Sequence, residues 1–189
     1  MNPHSIWTWI STIPILLAEQ TVSPQLPSSQ GVSNVLWLFF AGFGAVICLG
    51  MGAFGSSMGI GVAGQAAAGA WAKEARAGRN LSFAYIILVG MPISQTLYSM
   101  IVMNNMRSVL ANENLAVANA GLLLGIGIAT GLGEMLSAWL QGVIGAAGIR
   151  ALCEGEGKGL AFIIIAMGIV ETVGIFTMVF MLGMIPAAG

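Results

Sequence analysis

Long apolar segments separated by short polar loops dominate the hydropathy pattern of the chain. Each of four such segments exceeds the roughly 20 residues that a helix needs to cross a bilayer. They run over residues 35–72, 81–106, 115–149 and 160–185. The pattern therefore predicts an all-α, multi-pass membrane protein with four transmembrane helices.

Composition supports the membrane interpretation, and the positions of the charges suggest an orientation. The chain is 57% hydrophobic and only 7% charged, far below the roughly 25% charged residues of an average soluble domain. Five of the six basic residues fall in the loops at 73–80 and 150–158. By the positive-inside rule we expect those loops in the cytoplasm and both termini on the outer side of the cell membrane.

The first 30 residues differ from the rest of the chain. An apolar run from Ile6 to Ala18 is too short to span a bilayer and is followed by a tract rich in Ser, Pro and Gln. A cleaved signal-peptide core and a retained outward-facing segment both fit this pattern. We therefore divide the chain into this segment (1–30), a first helical hairpin (31–110) and a second helical hairpin (111–189).

The two hairpins are copies of one unit. A shift of 76 residues superposes them without a gap, so that Gln65 falls on Gln141, Thr96 on Thr172 and Gln95 on Glu171. Because each unit contains two spans, both copies have the same orientation in the membrane. Many alternating-access transporters instead contain inverted repeats, so the duplication counts against that class.

The first helix of each hairpin has small or polar residues at every fourth position, and hence on one face. We expect these stripes to pack closely against like neighbours, as small residues do in membranes. They comprise Ser57, Gly61, Gln65 and Gly69 in one copy, and Gly133, Ser137, Gln141 and Gly145 in the other.

The segment 59–64 also matches a dinucleotide fingerprint, but no strand precedes it, so we expect no organic cofactor. No nucleic-acid partner is expected either.

Glu171 is the only charged residue between Leu160 and Ile185. A carboxylate at this depth is costly, and the basic residues all lie at or beyond helix ends. Glu171 must therefore be protonated or hold a cation that comes and goes. Its repeat counterpart, Gln95, can form hydrogen bonds but cannot change charge.

Several oxygen-bearing residues are predicted at the same depth as Glu171. Met91, Ser94, Gln95 and Tyr98 share one helix face, and Pro92 removes a backbone hydrogen bond within that helix. Gln141 lies at a similar distance from the basic loops. One carboxylate with amide and hydroxyl oxygens suits a hard monovalent cation.

Three segments carry a resemblance to a known family: Met91–Tyr98 (MPISQTLY), 141–148 (QGVIGAAG) and 170–172 (VET). Within a duplicated hairpin, they resemble the proteolipid rotor subunit (the K or c subunit) of V-type and A/V-type rotary ATPases, most closely the sodium-translocating kind. The resemblance implies a non-catalytic subunit in a homo-oligomeric ring that is turned by ATP hydrolysis in a separate soluble head. It also implies a stator subunit with half-channels and a positive charge, and central-stalk subunits on the cytoplasmic loops.

Carried over by position, the family's sodium ligands would be Glu171, Gln141, Gln95, Ser94 and the backbone carbonyl of Met91. Tyr98 would form a hydrogen bond to the carboxylate. Ser94 stands where Thr is more usual in the family, but the hydroxyl is kept. A proton remains the alternative cargo.

Two further hypotheses stay open from the sequence. The chain could form a cation channel or carrier that conducts without a soluble motor, or a purely structural four-helix membrane protein.

Glu134 is a second carboxylate inside a predicted span, and its repeat counterpart is Met58. We expect a structural or pore-facing role for Glu134 and not transport.

Overall fold

A computed structural model describes residues 29–187, and the side chains of residues 31–187. The prediction for the segment 1–30 lies outside the described side chains. Helices account for most of the described part, which contains no strand. They are α1 (Ser29–Arg76), α2 (Ala84–Gly90), a 3₁₀ turn (Met91–Ile93), α3 (Ser94–Leu110), α4 (Glu113–Ala118), α5 (Ala120–Glu154) and α6 (Leu160–Met184).

Four helical segments are long and apolar enough to cross a membrane, so the predicted all-α fold is confirmed. They are Gly31–Arg76, Ala84–Leu110, Ala120–Glu154 and Leu160–Met184. In their most apolar windows, 44% of α5 is buried but only 11% of α6. Helix α5 is therefore the most enclosed of the four, and α6 presents most of its surface to the surroundings.

The third span begins later than the sequence pattern predicted. Residues from Leu115 onward belong to the short helix α4, which is capped by Asn112 through a hydrogen bond from the backbone N–H of Leu115 at 3.2 Å. At Asn119 the backbone leaves the helical conformation, and its side chain donates to the carbonyl oxygen of Leu115 at 2.9 Å. Asparagine favours such local bonds over helix propagation, so α5 starts only at Ala120.

Pro92 divides the second span into two helices. The missing backbone N–H of proline and its ring prevent a regular α-helix, and a 3₁₀ turn over Met91–Ile93 joins α2 to α3. The carbonyl oxygen of Met91 accepts a hydrogen bond from the Ser94 hydroxyl at 3.2 Å. The carbonyl oxygen of Leu88 lies against Gly145 on α5, where an added Cβ would approach it to 3.2 Å.

Helices α1 and α5 approach each other through glycines outside the predicted stripes. A Cβ added to Gly127 would collide with the backbone of Gly44, and one added to Gly142 would collide with the backbone of Gly59. Contact at this range is available only to residues without side chains. The sequence pattern did not identify this pair of contacts, because the glycines follow no regular spacing of four.

The two predicted stripes have different surroundings. On α5, Gly145 packs against Met167 of α6, and Gly133 packs against Thr177 of the same helix. On α1, Ser57, Gln65 and Gly69 are exposed, and Gly61 has no neighbouring atom within 4 Å of an added Cβ. Contact of the α1 stripe with another copy therefore stays a prediction.

Two buried apolar clusters enclose a polar layer. One contains Cys48, Val102, Met106, Leu123 and Ile126 with their neighbours. The other contains Ala63, Tyr85, Leu88, Ile149 and Met167 with theirs. Between them lie the buried polar side chains of α3 and α5, namely Gln95, Ser99, Thr130, Glu134, Ser137 and Gln141.

Candidate ion-binding site

Glu171 receives hydrogen bonds from two other helices. The Tyr98 hydroxyl of α3 donates to Oε1 at 2.9 Å, and the Gln141 amide of α5 donates to Oε2 at 3.2 Å. Both carboxylate oxygens thus have a donor before any ion is considered. The side chain is half-buried, while its neighbours Thr172 and Val173 are exposed.

A chain of hydrogen bonds continues from Gln141 into the bundle. The Gln95 amide donates to the side-chain oxygen of Gln141 at 3.3 Å, and the Ser94 hydroxyl lies 3.1 Å from the side-chain oxygen of Gln95. The same hydroxyl lies 3.2 Å from the carbonyl oxygen of Met91. The structure therefore brings all six residues singled out from the sequence into one connected network.

Burial in this network is uneven. Gln95 and Gln141 are 0% exposed, so an amide left without a partner there would be costly. Gln141 also donates to the backbone carbonyl oxygen of Met167, at 3.3 Å. The amides are therefore fixed inside the bundle, whereas Glu171, Ser94 and Tyr98 are only half-buried.

Ser137 is a member of the network that the sequence placed only on a packing stripe. Its hydroxyl donates to the carbonyl oxygen of Val170 at 3.0 Å and lies 3.2 Å from the Gln95 amide nitrogen. It thus ties α5 both to α6, next to Glu171, and to α3. Ser137 lies one helical turn before Gln141 and hence on the same helix face, so the sequence did contain a signal for this role. The stripe of small residues predicted only helix packing for it.

No basic side chain accompanies Glu171 in the described part of the chain. The only ion pair found among those residues joins Lys73 to Glu154 at 3.7 Å, at the ends of α1 and α5. The described residues also contain no cluster of three His, Cys, Asp or Glu. The site thus combines one formal negative charge with neutral oxygen groups, a set suited to a hard monovalent cation.

The structure contradicts a pore-facing position for Glu134. Its side chain is 0% exposed and lies inside the bundle. On α6, Gly174 provides the space, because a Cβ there would approach Oε2 of Glu134 to 2.6 Å. The sequence offered no way to foresee this, because the neighbouring helix decides which face of α5 is covered.

Comparison with known proteins identifies the unit that is repeated. The sequence model of the family described as the ATP synthase C subunit matches the chain twice, over residues 43–104 and 124–184. Curated protein sequences give no match. The two matched segments correspond to the two hairpins of the internal repeat, and together they include every member of the hydrogen-bonded network. The chain therefore belongs to the ATP synthase C-subunit family, whose members are non-catalytic membrane rotor components that form rings with the other subunits of the ATPase.

Proposed function

We propose that the chain is the rotor-ring subunit of a V-type, ATP-driven ion pump, and that it carries Na⁺ across the membrane on Glu171. The observation that supports this most strongly is the network in which one carboxylate meets two amides and two hydroxyls. A proton carrier needs only the carboxylate, whereas a sodium ion needs several oxygen ligands to replace its water.

The proposed ligands are one oxygen of Glu171, the side-chain oxygens of Gln141, Gln95 and Ser94, and the carbonyl oxygen of Met91. Each of these groups belongs to the network or is directly bonded to a member of it. Tyr98 holds the other carboxylate oxygen through its hydroxyl. Bound sodium would neutralise the carboxylate, and a neutral site crosses lipid at much lower cost than a bare charge.

The exposed face of α6 suits this role. Around Glu171, Ile169 is 65% exposed and Phe176 is 59% exposed, so the carboxylate lies in an apolar surface that can contact lipid. A stator subunit would supply the half-channels and the positive charge that the described residues lack near Glu171. Each sodium ion carried across contributes about 2.3 kcal/mol per 100 mV of membrane potential.

The single carboxylate of this network per four helices favours a pump over a synthase. A ring built from such chains carries fewer ions in each turn than one with a carboxylate in every hairpin. Fewer ions for each ATP hydrolysed allow pumping against a steeper gradient. Ion-gradient-driven ATP synthesis by the intact complex would contradict this direction.

We assign the segments 73–80 and 150–158 to the cytoplasm, where they would contact central-stalk subunits. Each consists of a helix end, of α1 or α5, and the loop that follows it, and the two segments contact each other at one end of the bundle. Arg79 donates to the carbonyl oxygen of Cys153 at 3.1 Å, and Lys73 pairs with Glu154. A firm contact surface at that end would transmit torque to the ring.

Labelling with a carboxyl-reactive carbodiimide tests the function and the ion together. In the intact complex at alkaline pH, we expect Glu171 to be labelled, with loss of ATP-driven transport, and Na⁺ to protect both. If Na⁺ gives no protection but lower pH promotes labelling, the cargo is a proton. If the purified ring conducts ions without the soluble head, the stand-alone channel replaces the rotor.

A further inference from the structure

The hydrogen-bond partners of Ser137 fix which atom of the Gln95 amide faces it. A serine hydroxyl has a single hydrogen, and Ser137 donates that hydrogen to the backbone carbonyl oxygen of Val170 at 3.0 Å. The carbonyl oxygen has no hydrogen of its own, so the Ser137 oxygen can only accept a bond from Gln95. The Gln95 atom that lies 3.2 Å from Ser137 is accordingly the amide nitrogen.

Gln141 imposes the same direction on Gln95 from a second side. The Gln141 amide nitrogen donates to the backbone carbonyl oxygen of Met167 at 3.3 Å and to Oε2 of Glu171 at 3.2 Å. Its side-chain oxygen is thereby turned toward Gln95 and lies 3.3 Å from the Gln95 amide nitrogen. Both hydrogens of the Gln95 amide thus have an acceptor on α5.

The Gln95 oxygen is left for the proposed ion. It lies 3.1 Å from the Ser94 hydroxyl, which in turn lies 3.2 Å from the carbonyl oxygen of Met91. A reversed amide would place its two N–H groups among these ligands and its oxygen against two other oxygens. Because an amide nitrogen offers only hydrogens, the direction of this amide decides whether Gln95 can bind a cation.

Burial makes the Ser137 acceptor hard to replace. Gln95 is 0% exposed and Ser137 is 2% exposed, so an amide N–H that lost Ser137 would remain unpaired at a substantial cost. Glu134 is the other polar group near Ser137, since a Cβ added to Gly174 would approach both side chains. Its carboxyl has no hydrogen-bond partner among the described residues, so it does not compete for the Ser137 hydroxyl.

The hydroxyl is present only in the hairpin that contains Glu171. A shift of 76 residues places Gly61 at the position of Ser137, and an added Cβ at Gly61 would have no neighbour within 4 Å in the chain. The stripe of small residues is therefore kept in both copies, but only the second copy adds an acceptor that reaches Gln95. Close packing of helices does not require that hydroxyl.

We propose that Ser137 is a positioning residue that determines ion specificity. It holds the Gln95 amide with its oxygen toward the site and so favours Na⁺ over a proton. Sodium needs several oxygen ligands, whereas a proton needs only the carboxylate of Glu171. The inference rests on the proposed function, because it concerns the sodium site of that function, and Ser137 acts in it through Gln95 without being a ligand.

Carbodiimide labelling of Glu171 in the intact complex tests the specificity. In Ser137→Ala, the Na⁺ concentration that half-protects Glu171 at alkaline pH should rise roughly 5-fold or more. The pH of half-maximal labelling without Na⁺ should stay the same, because Tyr98 and Gln141 still bond to the carboxylate. A parallel shift of both quantities would indicate general loosening and would overturn the inference.

The same experiment distinguishes this inference from the proposed function. If Na⁺ does not protect the unmodified complex, the sodium function fails and the inference fails with it. If Na⁺ protects the unmodified complex and Ser137→Ala equally well, only the role of Ser137 is wrong.

A double-mutant cycle tests whether Ser137 acts through Gln95. Ser137→Ala also removes the bond to Val170, which is adjacent to Glu171. Gln95→Met removes the amide but keeps a side chain of similar length. Adding Ser137→Ala to Gln95→Met should change the half-protecting Na⁺ concentration by less than about 2-fold, since no amide remains to be oriented. A full loss in that background would show that Ser137 acts through Val170.

Ser56→Ala is the matched control. The Ser56 hydroxyl of α1 is 3% exposed and accepts a hydrogen bond from Thr96 of α3 at 2.8 Å, next to Gln95 but outside the network. Its removal should leave the half-protecting Na⁺ concentration unchanged. Ser137→Cys places a weaker acceptor at the same position and should give a smaller rise than Ser137→Ala. An unchanged concentration in every Ser137 variant that assembles, or an equal rise in Ser56→Ala, would overturn the inference.

Discussion

The first hairpin and the second hairpin have the same arrangement of spans but different chemistry at three equivalent positions. Gln95, Tyr98 and Met58 of the first copy correspond to Glu171, Gly174 and Glu134 of the second. The first hairpin thus supplies neutral groups that hold a carboxylate, and the second supplies both carboxylates. Duplication followed by divergence has separated the roles of ligand and charge.

Burial explains why the ionisable residue is in the second copy. Gln95 is 0% exposed and lies against α5, where Gln141 and Ser137 surround its amide. Glu171 is half-buried, and the two residues that follow it on α6, Thr172 and Val173, are exposed. A carboxylate that must exchange its ion is useful only where a channel in another subunit can reach it.

Moving the carboxylate between hairpins should have the largest effect. Glu171→Gln should abolish ATP-driven ion uptake by the intact complex in proteoliposomes, because glutamine cannot change charge and the remaining carboxylate within the spans, Glu134, is enclosed. Adding Gln95→Glu to that variant should not restore uptake, because position 95 is enclosed. Ring assembly is checked by size-exclusion chromatography, and recovery of half the uptake in the double variant would show that the two positions are interchangeable.

Replacing the buried amide of the second hairpin should have the next largest effect. Gln141→Leu leaves the Gln95 amide and Glu171 without a shared partner, at a cost of about 1–3 kcal/mol, or roughly 5- to 150-fold in ion affinity. The concentration of Na⁺, or of protons, that half-protects Glu171 from carbodiimide measures this shift.

The repeat provides the control for that experiment. Gln65→Leu changes the equivalent glutamine of the first hairpin, which is exposed in the chain, and should leave the half-protecting concentration unchanged. If Gln65→Leu weakens protection as much as Gln141→Leu does, the two copies do not differ in the way proposed.

The glycine contacts between α1 and α5 should respond to a single methyl group. Gly142→Ala places a Cβ against the backbone of Gly59 and should lower the free energy of unfolding by about 1–3 kcal/mol through overpacking. The equivalent position of the first hairpin is Ala66, so the first hairpin accommodates an alanine at the position where we expect the second hairpin to require glycine. Denaturation of the purified ring by SDS titration measures the change.

Gly125→Ala serves as the matched substitution on the same helix, since a Cβ there has no neighbour within 4 Å in the chain. It should change the unfolding free energy far less than Gly142→Ala. Equal effects from the two variants would mean that close backbone contact does not determine the packing of α1 on α5.

Removing one hydroxyl from the first hairpin should have the smallest effect. Tyr98→Phe deletes the 2.9 Å bond to Glu171, worth about 0.5–1.5 kcal/mol, or roughly 2- to 10-fold in the half-protecting ion concentration. Tyr85→Phe is the comparison, because that hydroxyl bonds to Glu74 at the loop end of the bundle. If Tyr85→Phe changes the half-protecting ion concentration as much as Tyr98→Phe does, the effect is a general loss of packing and not the loss of the bond to Glu171.

Much of the candidate site could be predicted because it depends on short-range order. Met91, Ser94, Gln95 and Tyr98 share a helix face by spacing, and Gln141 and Glu171 lie at similar distances from the basic loops, so spacing along the chain was sufficient to group them. Ser137 was missed, because its two hydrogen bonds reach helices distant in sequence. The late start of α5 was missed because the local bonds of Asn112 and Asn119 outweigh apolar continuity.

The sequence by itself determined the four spans, the duplication and the isolated carboxylate at 171, because hydrophobicity, repeat spacing and charge are properties of single positions or neighbours. Only the tertiary structure decided which faces meet. It placed α1 on α5 through Gly44, Gly59, Gly127 and Gly142, and it enclosed Glu134 beneath Gly174. In lipid no hydrophobic force selects between apolar faces, so close contact and hydrogen bonds between distant segments make that choice.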